Sequence, residues 1–155
     1  MFTTTILTAL IGIAPSSPYD IVFPEFNFTP PTASSFRELI SDNTVVFIAE
    51  DRELPLISIA VTFRGGDYLV PISQAGLVSM MASLVRSGGT ETMTAEEVDE
   101  QFAFLAANSS VNSDGTTVVA TLNSLSSNFK ESFGLFLDML QHPGFQESRI
   151  ALAKD

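Results

Sequence analysis

Ser79, Ala82 and Ser83 stand at the i, i+3, i+4 spacing on which a helix brings three side chains to one point. A zinc peptidase uses that spacing for two histidines and a glutamate. Here the three residues are small. A serine hydroxyl is a poor zinc ligand and an alanine methyl is none, so the catalytic, metal-ligating and cofactor-binding sets read from this segment are all empty. The hydroxyls raise serine hydrolysis as another chemistry. That reading fails on its partners, because the chain has a single histidine, His142, and neither serine lies in a G-x-S-x-G elbow.

Other groups with chemical potential have structural readings. His142 precedes Pro143-Gly144 and reads as a cation in the last turn of a helix. Glu50-Asp51-Arg52-Glu53 reads as a solvated turn, since one acidic loop without defined ligand spacing does not build a cation site. Glu96, Glu97, Asp99 and Glu100 crowd a helix start, where the dipole favours acids. Arg64-Gly65-Gly66 invites an anion, but there is neither a G-x-G-x-x-G nor a phosphate-loop lysine, and a turn is the simpler account.

Composition removes whole classes of function. The net charge of −11, with seven scattered Lys and Arg, argues against nucleic acid. The absence of cysteine excludes disulfides, thiolate catalysis and Cys-based metal sites. At 155 residues, 45% hydrophobic and 16% charged, the chain is about one domain long and able to form a core.

The elements that must position these residues follow from periodicity and punctuation. Leu77, Met80, Met81, Leu84 and Val85 form one stripe of a helix that Gly88-Gly89 stops, which makes that stripe the expected core side. Ser79, Ala82, Ser83 and Arg86 share the opposite face. Thr94 and Glu97 match a capping box opening a second helix, with Val98, Phe102 and Leu105 as its buried stripe. A third helix, for which 126–128 offer caps, carries Phe129, Phe133, Phe136 and Leu140. A further helical pattern, with Ile150 and Leu152 apolar, begins at Gln146 and is still running at Asp155, so the chain is expected to be a fragment of something longer.

Strands are expected at Thr44 to Ala49, after the Asp42-Asn43 turn signal, and at Ile57 to Phe63, which alternates; the two are read as a hairpin with a longer loop. A tighter hairpin is expected across Ser113-Asp114-Gly115, between 108–112 and 116–122. Residues 1–35 are read apart from the domain, which begins at 36. Within them, the run Ile6 to Ala14, with Gly12 and Ala14 spaced for a signal peptidase, suggests a complete or truncated export signal, although the first basic residue is Arg37. That run is too short to span a bilayer. A periplasmic or otherwise exported location is therefore expected, with the cytoplasm as the alternative. The Pro-rich stretch after it is expected to be extended, with Phe23, Phe26 and Phe28 against the domain surface.

In order along the chain, Phe47 to Asp51, Leu54-Pro55-Leu56, Phe63-Arg64-Gly65-Gly66-Asp67-Tyr68, Gly76-Leu77, Gly88-Gly89-Thr90 and Leu125 to Phe145 resemble the N-terminal half-domain of the insulinase-like (M16) peptidases. This family includes the mitochondrial processing peptidase and the core proteins of the respiratory cytochrome bc1 complex. The resemblance covers about residues 36–155. It implies an α+β fold, an antiparallel-rich sheet covered by helices on one face, incomplete at the C-terminus. Active members carry His-x-x-Glu-His on the helix after the Gly-Leu pair. By that resemblance the first histidine falls on Ser79, the glutamate on Ala82 and the second histidine on Ser83. A glycine is also inserted before Thr90. The resemblance therefore implies a zinc-less, non-catalytic subunit that binds or positions peptide substrate beside an active M16 peptidase or a second half-domain, which would hold the zinc. The other implied readings are an M16 zinc endopeptidase whose site lies downstream, and a structural assembly subunit of core-protein type.

Overall fold

The computed structural model describes Ser17, Glu25 and residues 27 to 154. The candidate export signal, and Phe23 and Phe26 of the lead-in, lie outside the described residues. Phe28 is 63% exposed, and residues 27–32 have no regular structure, in keeping with their prolines. The chain divides into two compact units between Glu50 and Asp51.

In the first unit, strands β1 (Arg37–Ser41) and β2 (Thr44–Phe47) form an antiparallel hairpin, with Leu39 opposite Val45 and Arg37 opposite Phe47. This corrects the sequence reading, which paired Thr44 to Ala49 with Ile57 to Phe63. The Asp42-Asn43 turn closes the shorter loop onto β1, and a short closure is entropically cheaper than one through the Glu50–Pro55 connection. Leu39, Ile40, Val45 and Phe47 remain exposed.

The second unit is built on a three-stranded antiparallel sheet of β3 (Leu56–Arg64), β4 (Asn108–Ser113) and β5 (Thr117–Leu125), in the order β3-β5-β4. Strand β5 is central, so its Ala120 and Leu122 lose all contact with water. Ile59 pairs with Leu122 and Val61 with Ala120, while Ser109 and Val111 meet the same two residues from the other side. The α-helices of this unit among the described residues are α1 (Leu77–Ser87), α2 (Ala95–Phe104), α3 (Phe129–Gln141) and α4 (Glu147–Lys154). The core gathers Ala82 and Val85 of α1, Val98 and Phe102 of α2, Phe136 and Met139 of α3 and the inward residues of β4 and β5.

The other sheet face is polar. Ser58 bonds to Asn123 across β3 and β5, and Ser110 to Thr121 across β4 and β5. An α+β unit with helices against one face of an antiparallel sheet is therefore present, and the alternation of β3 assigns its faces correctly.

The local signals hold. Thr94 Oγ1 accepts from Glu97 N–H and Glu97 accepts from Thr94 N–H, completing the capping box. Gly115 turns the β4–β5 hairpin at φ 89°. The apolar stripe of α3 is rotated from expectation. On α3 the deepest residues are Ser132, Phe136 and Met139, and Phe129 and Phe133 stack on each other at 5.3 Å. Burial of Ser132 is possible because its hydroxyl donates to Asn128 O and accepts from Ser124 Oγ. Asn128 occupies the N-cap position, yet its side-chain amide donates to Leu105 O instead of capping α3. Helix α4 buries none of its residues, and Leu152 is exposed.

Candidate functional site

Helix α1 starts at Gly76, whose left-handed φ of 88° lets the chain turn sharply into the first helical residue. It ends at Gly88, where a Cβ would lie 2.5 Å from Leu84 O. Between these glycines, Ser79 and Ser83 face solvent and Ala82 is 0% exposed, inside the apolar core. Leu77 and Met81, expected in the core stripe, are 41% and 38% exposed. The expected stripe is thus only half right: Leu84 and Val85 are buried, and Ala82, assigned to the bland face, is buried with them. The reason is close packing of α1 on β4, which favours a residue no larger than a methyl where the helix meets the sheet.

Arg86 lies one turn beyond Ala82 and ties three elements together. Its Nε donates to Ser109 O on β4 at 3.0 Å, its Nη1 donates to Asp99 Oδ1 on α2 at 2.7 Å, and the guanidinium sits 5.1 Å from the centre of the Phe102 ring. The face bearing Ala82 and Arg86 therefore looks onto the N-terminal half of β4.

Strand β4 is an edge of the sheet, and the hairpin turn fixes which backbone groups point outward. Asp114 N–H donates to Thr117 O at 3.1 Å, so this is a hydrogen-bonded pair. Antiparallel pairs alternate between bonded and non-bonded. By that alternation and the register, Ser113/Val118, Val111/Ala120 and Ser109/Leu122 are non-bonded pairs. The backbone N–H and C=O of Ser109, Val111 and Ser113 turn away from β5, toward an edge that no strand covers among the described residues. The bond from Arg86 to Ser109 O fits this polarity.

Asp114 clamps the turn. Its Oδ1 accepts from the N–H groups of Thr116 and Thr117, and these bonds, with the two threonine hydroxyls, hold its carboxyl down to about 2. The Thr94 N–H lowers the Glu97 carboxyl in the same way. Gly66 packs against this turn so closely that a Cβ would fall 2.1 Å from Gly115 O, so the Arg64-Gly65-Gly66 glycine pair serves a close backbone approach. Beside it, Asp67 Oδ1 is buried without a hydrogen-bond partner.

The remaining sequence candidates go to structural tasks. His142 pairs with Asp138 at 3.0 Å in the last turn of α3, and no hydrogen bond joins it to Ser79 or Ser83 among the described residues. Glu96 is paired with Arg149, Asp99 with Arg86, and Glu97 caps α2. Asp51 accepts from Glu53 N–H inside its turn. Among the described residues no three His, Cys, Asp or Glu side chains gather where a metal could sit. Ser79, Ala82 and Ser83 do not fit zinc, since two neutral hydroxyls and a buried methyl make no ligand set for it. An open hollow of about 430 Å³ beside the start of α1 is lined by Gln74, Ala75, Gly76, Leu77, Met80 and Ala153, none of them titratable. No described helix is long and apolar enough to cross a membrane.

Sequence reasoning missed the edge of β4 and the tie made by Arg86. The polar residues Asn108, Ser110 and Asn112 hinted at a solvated face, but whether a strand is central or at an edge depends on distant pairing.

No protein-family profile matches the chain, and no curated protein does. Solved structures match its fold. An inactive M16 peptidase domain from Pseudomonas fluorescens superposes with a TM-score of 0.67 at 20% identity, over 76% of this chain and 29% of that one. The periplasmic protease PqqL from Escherichia coli gives 0.63 at 18% identity, over 85% of this chain and 16% of its own. A protease from Helicobacter pylori gives 0.57 at 16% identity, over 64% and 24%. The chain thus has the fold of part of an M16 peptidase domain and spans less than a third of the length of each of these proteins.

Proposed function

We propose, from this fold, that the chain acts as a non-catalytic M16-like subunit or half-domain that binds or positions an extended peptide for an active zinc peptidase. The observation that carries the reading is the residue set at the family's zinc positions: Ser79 and Ser83 offer neutral hydroxyls, and Ala82 offers a methyl buried in the core. Neutral hydroxyls are poor zinc ligands, a methyl is none, and neither takes a proton from water. Strand β4 is an edge of the sheet next to that helix, the kind of element to which an extended chain can add as a further strand, with Ser113 its half-buried end. Relatedness to the zinc-less partners of the processing peptidase and to the bc1 core proteins, an exported location and an active M16 partner belong to the same proposal. A site in a further domain is the second reading, favoured by the small share of each neighbour's length that this chain spans.

The test combines metal analysis with an unstructured fluorescent peptide. The expected result is binding without cleavage and without stoichiometric zinc. Tight retention of one zinc per chain, together with cleavage, overturns the proposal.

A further inference from the structure

Strand β3 is the opposite edge of the sheet from β4, and the helices leave it bare. Ser126 N–H donates to Pro55 O at one end of β3 and Gly65 N–H donates to Thr116 O at the other, so Ile57, Ile59, Val61 and Phe63 make the bonded pairs with β5. The backbone N–H and C=O of Ser58, Ala60, Thr62 and Arg64 therefore turn away from β5. All four residues are exposed, and no strand pairs with them on that side among the described residues. Helices α1 and α2 meet the sheet at β4 and α3 meets it at β5. Along β3 the apolar face is accordingly left thinly covered, with Ile57, Ile59 and Val61 half-buried and Phe63 46% exposed.

We infer that β3 is a dimer interface, joining antiparallel to β3 of a second copy of this chain across a two-fold axis at Ala60. The strand reads alike in both directions from Ala60: an apolar Ile59 or Val61, then a hydroxyl on Ser58 or Thr62, then a large apolar Ile57 or Phe63. Pairing centred on Ala60 sets Ser58 opposite the second copy's Thr62 on the polar face, and Ile59 opposite Val61 and Ile57 opposite Phe63 on the apolar face. A two-fold interface demands that self-complementarity, whereas an unrelated strand does not. Edge strands that stay single are blunted by proline, charge or a bulge. Strand β3 runs nine residues in unbroken register with β5, with no proline and no charge before Arg64 at its end. Although the chain carries a net charge of −11, β3, β4 and β5 contain no acidic residue, so two copies can approach along this sheet without opposing carboxylates. The inference is independent of the peptide reading, which concerns β4.

Sedimentation equilibrium of the full chain should show a concentration-dependent dimer. Ala60→Lys, which sets two ammonium groups opposite each other, should abolish it while melting like the wild type by circular dichroism. Cysteine substitution tests the register, because the chain has no cysteine of its own. Across a hydrogen-bonded pair the Cα atoms lie about 5.5 Å apart, within disulfide reach, so mild oxidation should crosslink Ala60→Cys into a dimer. Ser58→Cys, whose two copies would stand roughly 14 Å apart, should remain uncrosslinked. A monomeric wild type, a dimer that Ala60→Lys leaves intact, or equal crosslinking of the two cysteine variants overturns the inference. If Ala60→Lys fails to fold, the cysteine pair decides. A monomeric wild type that binds an extended peptide, with that binding lost in Ala60→Lys, would show that the edge takes a foreign strand, and the dimer falls.

Discussion

Replacing Ala82 with glutamate restores the family's general base on paper, yet it should destabilise the protein severely. Ala82 is 0% exposed and packs among Val85, Val98, Phe102, Val111, Ala120, Leu122, Phe136 and Met139. Forcing a longer side chain into that space costs about 1–3 kcal/mol from overpacking alone. Arg86, one turn on, is already engaged by Ser109 O and Asp99, and the rest of the cluster is apolar, so the pKa of the buried carboxyl must rise. A rise of about three units costs roughly 4 kcal/mol at neutral pH. Together these approach the whole stability of a typical domain, about 5–15 kcal/mol. At about 2–4 °C per kcal/mol for a chain of this size, the midpoint of thermal unfolding should fall by on the order of 10–25 °C. Ala82→Gln separates size from charge. A carboxyl whose folded pKa is raised loses nothing below its unfolded value of about 4.3, and its destabilisation grows as pH rises above that. The glutamate and glutamine variants should therefore unfold together near pH 4 and diverge toward pH 7. Ser83→Glu, on an exposed position of the same helix, should stay within about 0.5 kcal/mol of wild type. The assay is circular dichroism melting of all four proteins across pH. Equal midpoints for Ala82→Glu and Ser83→Glu at pH 7 would falsify the assignment of Ala82 to the core, and with it the argument that this face can no longer accept the zinc motif.

Three other outcomes are expected. Gly66→Ala drives a methyl toward Gly115 O, where the gap is only 2.1 Å, and should cost at least about 2 kcal/mol in urea unfolding; a neutral result would show that the two turns do not touch. Asp114, held at about 2, contributes stability that is present above its unfolded pKa and is lost as pH falls through that range, so Asp114→Ala should flatten the acid limb of the stability curve between about pH 4 and 2. An unchanged limb would refute the clamp. Thr94→Ala removes the cap of α2 and should lower stability by about 1 kcal/mol, read as faster amide exchange in the first turn; unaltered exchange there would contradict the capping box.

The chain's own residues settle what depends on neighbours within a few positions. Thr94 and Glu97 write the start of α2, Gly88 the end of α1, and Asp114-Gly115 the hairpin, because capping and turn geometry are satisfied within about four residues. The residue types at 79, 82 and 83 are equally legible: ligand chemistry belongs to the side chain itself, and no folding turns serine or alanine into histidine or glutamate.

Tertiary structure decided which elements meet. The alternation of Ile57, Ile59 and Val61 marks a strand with a buried face, but only the folded sheet shows that its partner is β5 and not β2, since pairing over that distance is chosen by the whole core. Periodicity placed Leu77, Met81 and Ala82 at fixed angles around α1. The sheet chose the side, burying a methyl and leaving Leu77 and Met81 partly in water, because close helix–sheet packing rewards fit over hydrophobicity. The edge position of β4 and the placing of Arg86 on Ser109 arise the same way, from contacts between residues that local sequence does not connect.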